Sequence, residues 1–253
     1  MLQLQSIPRT TLDVLKTLAK QPFIHDFYLV GGTALSLYWG HRLSEDIDLF
    51  TERKVNLDKL EEEIASIKGA QMDSKNPIGR TYTINGIKCD FLNYPYPFLY
   101  PPFISDELQL ANINDVVSLK LGAIANRGAK KDLYDLYYIL QKYSMEQLLK
   151  LYQQKYNVTD VFPLLKSLTY FNDAEDELPP KLLIAPFTTW YQVEIHSTKS
   201  KIRIVLTVME GFVLPSQFNT DNSCYFCLKQ IAKNASCTRQ KNLFYFRFSS
   251  GHS

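Results

Sequence analysis

The tightest constraint on this chain is one short run. An apolar segment, Phe27-Tyr-Leu-Val30, leads into Gly31-Gly32. A helix-forming stretch, Thr33 to Trp39, follows, and then Asp46-Ile47-Asp48 opens a second apolar segment. Side chains alternate faces along a strand, so Asp46 and Asp48 share a face with their Cα atoms about 6.5–7 Å apart, while Ile47 and Leu49 turn into a core. Two carboxylates held this close repel each other unless a cation lies between them. Glycines lack Cβ, so backbone at Gly31 and Gly32 can approach a bound group closely. A helix starting just after them aims free N–H groups and a positive dipole end at an anion such as phosphate. Thr33 adds a hydroxyl.

Arg80–Ile84 and Ile87–Leu92 read as strands joined by Asn85-Gly86, a hairpin signal. In the second strand Ile87, Cys89 and Phe91 take the apolar face, and Lys88 and Asp90 take the other. Paired beside the Asp46–Asp48 strand, Asp90 becomes a third carboxylate on the same surface. Three such groups suit Mg²⁺ or Mn²⁺, hard ions that bridge carboxylates to substrate phosphates. Two metals about 3.5–4 Å apart would activate an attacking oxygen and stabilise a leaving phosphate. Singly, a Gly-Gly pair is commoner as a turn, and an Asp-x-Asp as a solvated pair or a cap. Their conjunction in this order is far more specific.

The stretch Tyr94 to Pro102 holds four prolines and reads as a loop leaving the first domain. Beyond it the pattern turns helical, over 112–126, 131–142, 145–156 and 160–171, until Leu178-Pro-Pro180. On the helix 112–126, taken at about 100° per residue, Lys120 and Arg127 fall on the stripe of Val116, Leu121 and Ile124. A buried unpaired cation is costly, so each requires an anion from the acidic cleft or a bound triphosphate. The plain alternative is snorkelling of long stems at a helix end. On the next helix Leu133, Leu136, Tyr137 and Leu140 form the core stripe. Asp132 flanks it, placed to orient Lys120 or Arg127 or to act as a base, while Asp135 lies farther round as an i,i+4 partner of Lys131.

The fold class expected is α+β: a sheet-and-helix core over 1–105, a helical subdomain over 106–195, and a basic tail over 196–253, with a cleft between core and subdomain. Net charge is only +2, which excludes a global basic field for nucleic acid, yet residues 197–253 hold eight Lys/Arg against two Asp/Glu. The tail also carries Cys224, Cys227 and Cys237. It reads as an added strand-rich element, a nucleic-acid contact or a frame change, with a zinc site requiring a fourth ligand from His196 or His252. No apolar run is long enough to span a membrane, and the N-terminus lacks a signal-peptide pattern, so a cytoplasmic protein without membrane partners is expected.

Five blocks in order carry a resemblance: Tyr28-Leu-Val-Gly-Gly-Thr-Ala-Leu35, His41-Arg-Leu-Ser-Glu-Asp-Ile-Asp-Leu-Phe50, Lys88-Cys-Asp-Phe91, Lys120 to Arg127, and Lys131-Asp-Leu-Tyr-Asp-Leu136. Together, over roughly residues 5–195, the chain resembles the AbiEii/AbiGii toxin family of nucleotidyltransferases. That resemblance implies a polymerase-β-like nucleotidyltransferase fold with a helical C-terminal part. It implies the toxin of a type IV toxin–antitoxin pair, acting by abortive infection, with a cognate antitoxin as partner. The implied chemistry is metal-dependent transfer from an NTP to an acceptor such as a tRNA 3′ end or another RNA. It places metal-ligand roles on Asp46 and Asp48, the family's lysine on Lys120 and its late acid on Asp132 or Asp135. The family's first motif often reads Gly-Ser, so here the phosphate-contacting hydroxyl falls to Thr33.

The expected site therefore comprises Asp46, Asp48 and Asp90 as metal ligands. Asp90 helps deprotonate the attacking hydroxyl, Lys120 and Arg127 neutralise the triphosphate, Asp132 assists, and Gly31, Gly32 and Thr33 cradle phosphate. The rival expectation is a catalytically silent nucleotide- or antitoxin-binding module of the same fold. A metal-dependent hydrolase is weaker, since His25 and His41 lie in no histidine–carboxylate motif and read as ordinary polar residues.

Overall fold

Period-two burial builds the sheet. In β2 (Ile47–Thr51) residues Ile47, Leu49 and Thr51 are buried while Asp48 and Phe50 are only half so. In β5 (Ile87–Asn93) residues Ile87, Cys89 and Phe91 are buried and Lys88 is exposed. The computed structural model describes residues 2–198, apart from positions 106, 107, 169, 172, 173, 186, 187, 191 and 195. Among these, β1 (Tyr28–Val30), β3 (Ala70–Asn76), β4 (Gly79–Ile84), β6 (Phe103–Ser105) and β7 (Leu108–Leu110) complete a seven-stranded sheet. Its order is β3-β4-β5-β2-β1-β7-β6. Strand β2 runs parallel to β5 and antiparallel to β1, so the sheet is mixed. The hairpin β4–β5 turns at Asn85 and Gly86, both at positive φ (49° and 82°), as a two-residue turn between twisted strands demands.

Helices α1 (Arg9–Ala19) and α3 (Leu57–Ala65) are amphipathic, and α3 is capped by the Asn56 side chain on the Asp58 and Lys59 N–H groups. Helix α2 (Gly31–Trp39) ends at Gly40 in the left-handed region, φ 64°. The helical section is α4 (Ile113–Asn126), α5 (Lys130–Ile139), α6 (Met145–Tyr156) and α7 (Phe162–Ser167), with α4 packed against α2, α5, α6 and α7. Ser144 and Gln147 form a capping box at α6. Leu29, Leu49 and Phe91 of the sheet share one buried cluster with Val117, Leu133 and Leu148 of these helices. This is an α+β fold of a mixed sheet with helices, as the sequence implies. The basic tail and its cysteines, from position 199 on, lie outside the described residues, as does any zinc site there.

The proline-rich segment after β5 is a loop, and it is firmly held. Asp115 of α4 accepts the N–H groups of Leu99 and Tyr100, both at 3.0 Å. It also accepts from Lys155 Nζ of α6 at 2.8 Å, and that ammonium donates to the Pro97 carbonyl at 2.6 Å. Neither side chain of the pair is exposed. The Lys155 ammonium lies 4.1 Å from the Phe98 ring centroid. Prolines cannot supply ladder hydrogen bonds, so this buried pair does the fastening that a sheet partner would otherwise do.

Replacing Asp115 by Ala strands a buried ammonium and two backbone donors. Urea unfolding is expected to show a loss of about 3–5 kcal/mol. A loss below about 1 kcal/mol, the size of an exposed pair, contradicts the assignment.

Candidate active site

The glycine pair is shaped by what packs on it. Gly31 has φ 70°, a conformation that L side chains avoid, and a Cβ there would overlap the Asp48 carboxylate. A Cβ on Gly32 would overlap the Arg42 guanidinium and stand 3.0 Å from Ser44 Oγ. Parallel pairing of β2 with β5 sets Asp48 directly opposite Asp90, on strands about 4.8 Å apart. Gly31, Gly32, Arg42, Asp46, Asp48, Asp90, Lys120 and Arg127 all line one cavity of about 600 Å³.

Burial pushes the Asp48 carboxyl above its ordinary range. Repulsion from Asp90 adds to this, and Lys120 partly offsets it. Thr81 Oγ1 donates to Asp90 at 2.6 Å and Lys88 Nζ at 2.7 Å. Asp46 falls just before β2 begins, is half exposed, and meets Lys131 Nζ at 3.3 Å. The three expected carboxylates thus share a cavity but do not converge on one point. Among the described residues, no three His, Cys, Asp or Glu side chains are already gathered around a metal position. The physical reason is local: the two outer carboxylates turn to ammonium groups, Asp90 to Lys88 and Asp46 to Lys131. The donor set still suits a hard cation, since Asp48 and Asp90 present oxygens side by side and their mutual repulsion is what such an ion relieves.

A buried charge cluster backs this site. Lys120 Nζ lies 2.9 Å from both Asp132 and Asp135. Asp135 also accepts from Arg42 Nε at 2.6 Å and Nη2 at 2.9 Å, and from His41 Nε2 at 2.7 Å. Asp132 accepts from Arg127 Nε at 3.0 Å. Burial alone would raise both carboxyls. Arg42 and Lys120 outweigh it at Asp135, holding that group well below the ordinary range, and Lys120 and Arg127 hold Asp132 below it too. Burial would likewise lower the Lys120 ammonium, but Asp135 and Asp132 raise it.

Several expectations change here. Thr33 is fully buried and absent from the cavity wall. Its hydroxyl donates to the Asp46 carbonyl and meets Ser44 Oγ at 3.1 Å, so it braces the acidic strand rather than contacting phosphate. Lys120 and Arg127 do have anions, but these are protein carboxylates. Asp132 therefore takes the orienting role, and its depressed pKa makes it a poor base. Lys131 reaches Asp46, while Asp135 pairs with His41, Arg42 and Lys120, so the i,i+4 pair expected between Lys131 and Asp135 gives way to longer-range partners. His41, expected as an ordinary polar residue, is fully buried against Asp135, and its Nδ1 has no hydrogen-bond partner. The i,i+3 spacing of Asp132 and Asp135 beside the leucine stripe was the available signal, since both fall on the face that meets α4.

A family model described as nucleotidyl transferase AbiEii toxin, type IV TA system, matches residues 13–182. An uncharacterised protein of Aquifex aeolicus (strain VF5) is 32% identical over 197 residues, covering 76% of this chain and 94% of that protein. Among solved structures, MenT4, a nucleotidyltransferase toxin from Mycobacterium tuberculosis H37Rv, aligns with a TM-score of 0.49 at 16% identity, over 88% of this chain and 90% of its own. JHP933 from Helicobacter pylori aligns with a TM-score of 0.44 at 18% identity, over 81% of this chain and 97% of its own.

Asp135→Asn is expected to cost about 3–5 kcal/mol at neutral pH, because buried Arg42 loses its counter-charge and buried Lys120 loses one of its two. The folded pKa values of Asp132 and Asp135 lie below their unfolded ones. Their stabilisation is therefore complete at neutral pH and is withdrawn as pH falls below about 4. Unfolding free energies measured from pH 7 downward should fall steeply in the wild type through that acid range and more gently in Asp135→Asn. Parallel profiles contradict the cluster's role.

Proposed function

The chain belongs to the AbiEii family of nucleotidyltransferase toxins of type IV toxin–antitoxin systems, and on that premise we propose that it transfers a nucleotide from an NTP to an RNA hydroxyl, such as a tRNA 3′ end, with Mg²⁺ or Mn²⁺. The observation that carries this reading is the in-register pair Asp48–Asp90 set against the Cβ-less backbone of Gly31.

Backbone N–H groups at the start of α2 face the phosphates, with Arg42 beside Gly32 and Arg127 and Lys131 at the cavity wall. Asp48, Asp90 and Asp46 would hold the metal, Lys88 and Lys131 yielding Asp90 and Asp46 to it. When bound, the metal would supply charge stabilisation on the transferring phosphoryl oxygens. Asp90 accepts the proton of the attacking hydroxyl. A bond forms from that oxygen to the α-phosphorus, the bond from the α-phosphorus to the bridging oxygen breaks, and pyrophosphate leaves with the electron pair. Three cations around Asp132 and Asp135 leave a positive surplus at the cavity wall, which favours the departing anion. Family membership also implies a cognate antitoxin. Among the described residues no helix is long and apolar enough to cross a membrane.

Purified protein incubated with labelled NTPs, Mg²⁺ and total tRNA should incorporate label. Asp48→Asn should reduce incorporation at least about a hundredfold, the scale of losing a group that stabilises transition-state charge, with an unchanged circular dichroism spectrum. Wild-type-like incorporation in that variant overturns the assignment.

A further inference from the structure

Part of the cavity wall has no place in the phosphate chemistry. Phe50, Tyr94, Tyr96, Tyr152 and Tyr156 line the same space as the acidic pair. They form a continuous ladder. Phe50 stacks on Tyr94 with centroids 5.1 Å apart and planes at 26°. Tyr96 lies 5.4 Å from Tyr94 and 4.9 Å from Tyr156, and Tyr152 lies 4.7 Å from Tyr156.

The back of the ladder is fixed. The Tyr94 and Tyr156 hydroxyls meet at 3.1 Å, and Tyr156 donates to the Ser118 carbonyl at 3.3 Å. Gly122 sits in the interior of α4, where glycine is unfavourable, and a Cβ there would overlap the Tyr156 hydroxyl. The helix thus gives up a side chain to admit this ring. The loop bearing Tyr94 and Tyr96 is fastened by the buried Asp115–Lys155 pair. In front, Tyr96 remains 37% exposed and Tyr152 half-buried, so their rings are accessible from the cavity. A rigid aromatic surface continuous with a phosphate-binding end has the shape complement of one nucleotide. A cavity of about 600 Å³ is the size of a single small-ligand site.

We propose that Tyr96 and Tyr152, backed by Phe50, Tyr94 and Tyr156, form the stacking subsite for the base of the bound NTP. The proposal rests on the NTP-transfer reading and deepens it. Every base has a π-face, so this subsite sets affinity and positioning for all four nucleotides rather than choosing among them.

The test is equilibrium binding of ATP, CTP, GTP, UTP and inorganic tripolyphosphate, each with Mg²⁺, and of total tRNA, to the full chain and to Tyr96→Leu, Tyr152→Leu and Tyr96→Phe. The leucine variants should bind every NTP about five- to hundredfold more weakly while holding tripolyphosphate as the wild type does. Tyr96→Phe, which keeps the ring, should retain NTP binding, and KM for NTP should rise in the leucine variants more than kcat falls. Unchanged NTP affinity in both leucine variants overturns the stacking subsite while leaving the NTP reading intact. A loss confined to tRNA binding overturns it in favour of an acceptor base on the same rings. Wild-type protein that binds neither NTP nor tripolyphosphate overturns the NTP reading and the subsite together.

Discussion

Lys120 held between Asp132 and Asp135 is the interaction on which the arrangement depends. Buried charges tolerate few geometries, because each must be matched in place or the desolvation cost goes uncompensated. Lys120 comes from α4, the two aspartates from α5, and Arg42 and His41 from the segment after α2. Satisfying all of them fixes those elements against one another. Arg42 in turn packs on Gly32, so the cluster reaches the backbone proposed to receive the phosphates. Three cations against two carboxylates leave this region net positive, next to an acidic pair that is net negative. An NTP–metal complex carries the complementary pattern, anionic phosphates around a dication.

The acidic pair and its lysines follow the same logic. Asp48 is pushed toward its neutral form by burial and by Asp90. Lys88 and Lys131 hold Asp90 and Asp46, and hydrogen bonding to Asp90 raises the Lys88 ammonium in return. Each of these two lysines is a single charge on one carboxylate, a contact that a more highly charged cation would displace. The two lysines are 53% and 45% exposed, so releasing them to solvent costs little.

Much of this was legible in the residues, for identifiable reasons. Strong periodicity gave α4 and α6 nearly to the residue, and Asn85-Gly86 gave the hairpin. Alternation puts Asp48 and Asp90 each on the polar face of its own strand, and the pairing of β2 with β5 makes that face a shared one. Strand β3 was not legible, because its sequence Ala70–Asn76 is polar and mostly exposed, and it is strand only through pairing with β4. The short strands β6 and β7 are likewise set by their neighbours. Within the site, the pattern showed that Lys120 needed an anion but not which one. Choosing between Asp132, Asp135 and a ligand required the packing of α5 on α4. Thr33 shows the reverse case: a hydroxyl in the right place along the chain, turned by the helix into the protein. The buried Asp115–Lys155 pair was not legible, because each residue alone fits an ordinary helix surface.

The central claim is spatial: an acidic pair and a glycine-paired backbone jointly receive a metal–triphosphate group. A crystal structure with Mn²⁺ and a non-hydrolysable NTP tests it most directly. The account predicts anomalous density within coordination distance of Asp48 and Asp90, with phosphate oxygens on the Gly31–Gly32 backbone. Manganese bound elsewhere, or a triphosphate lying away from those glycines, would contradict it.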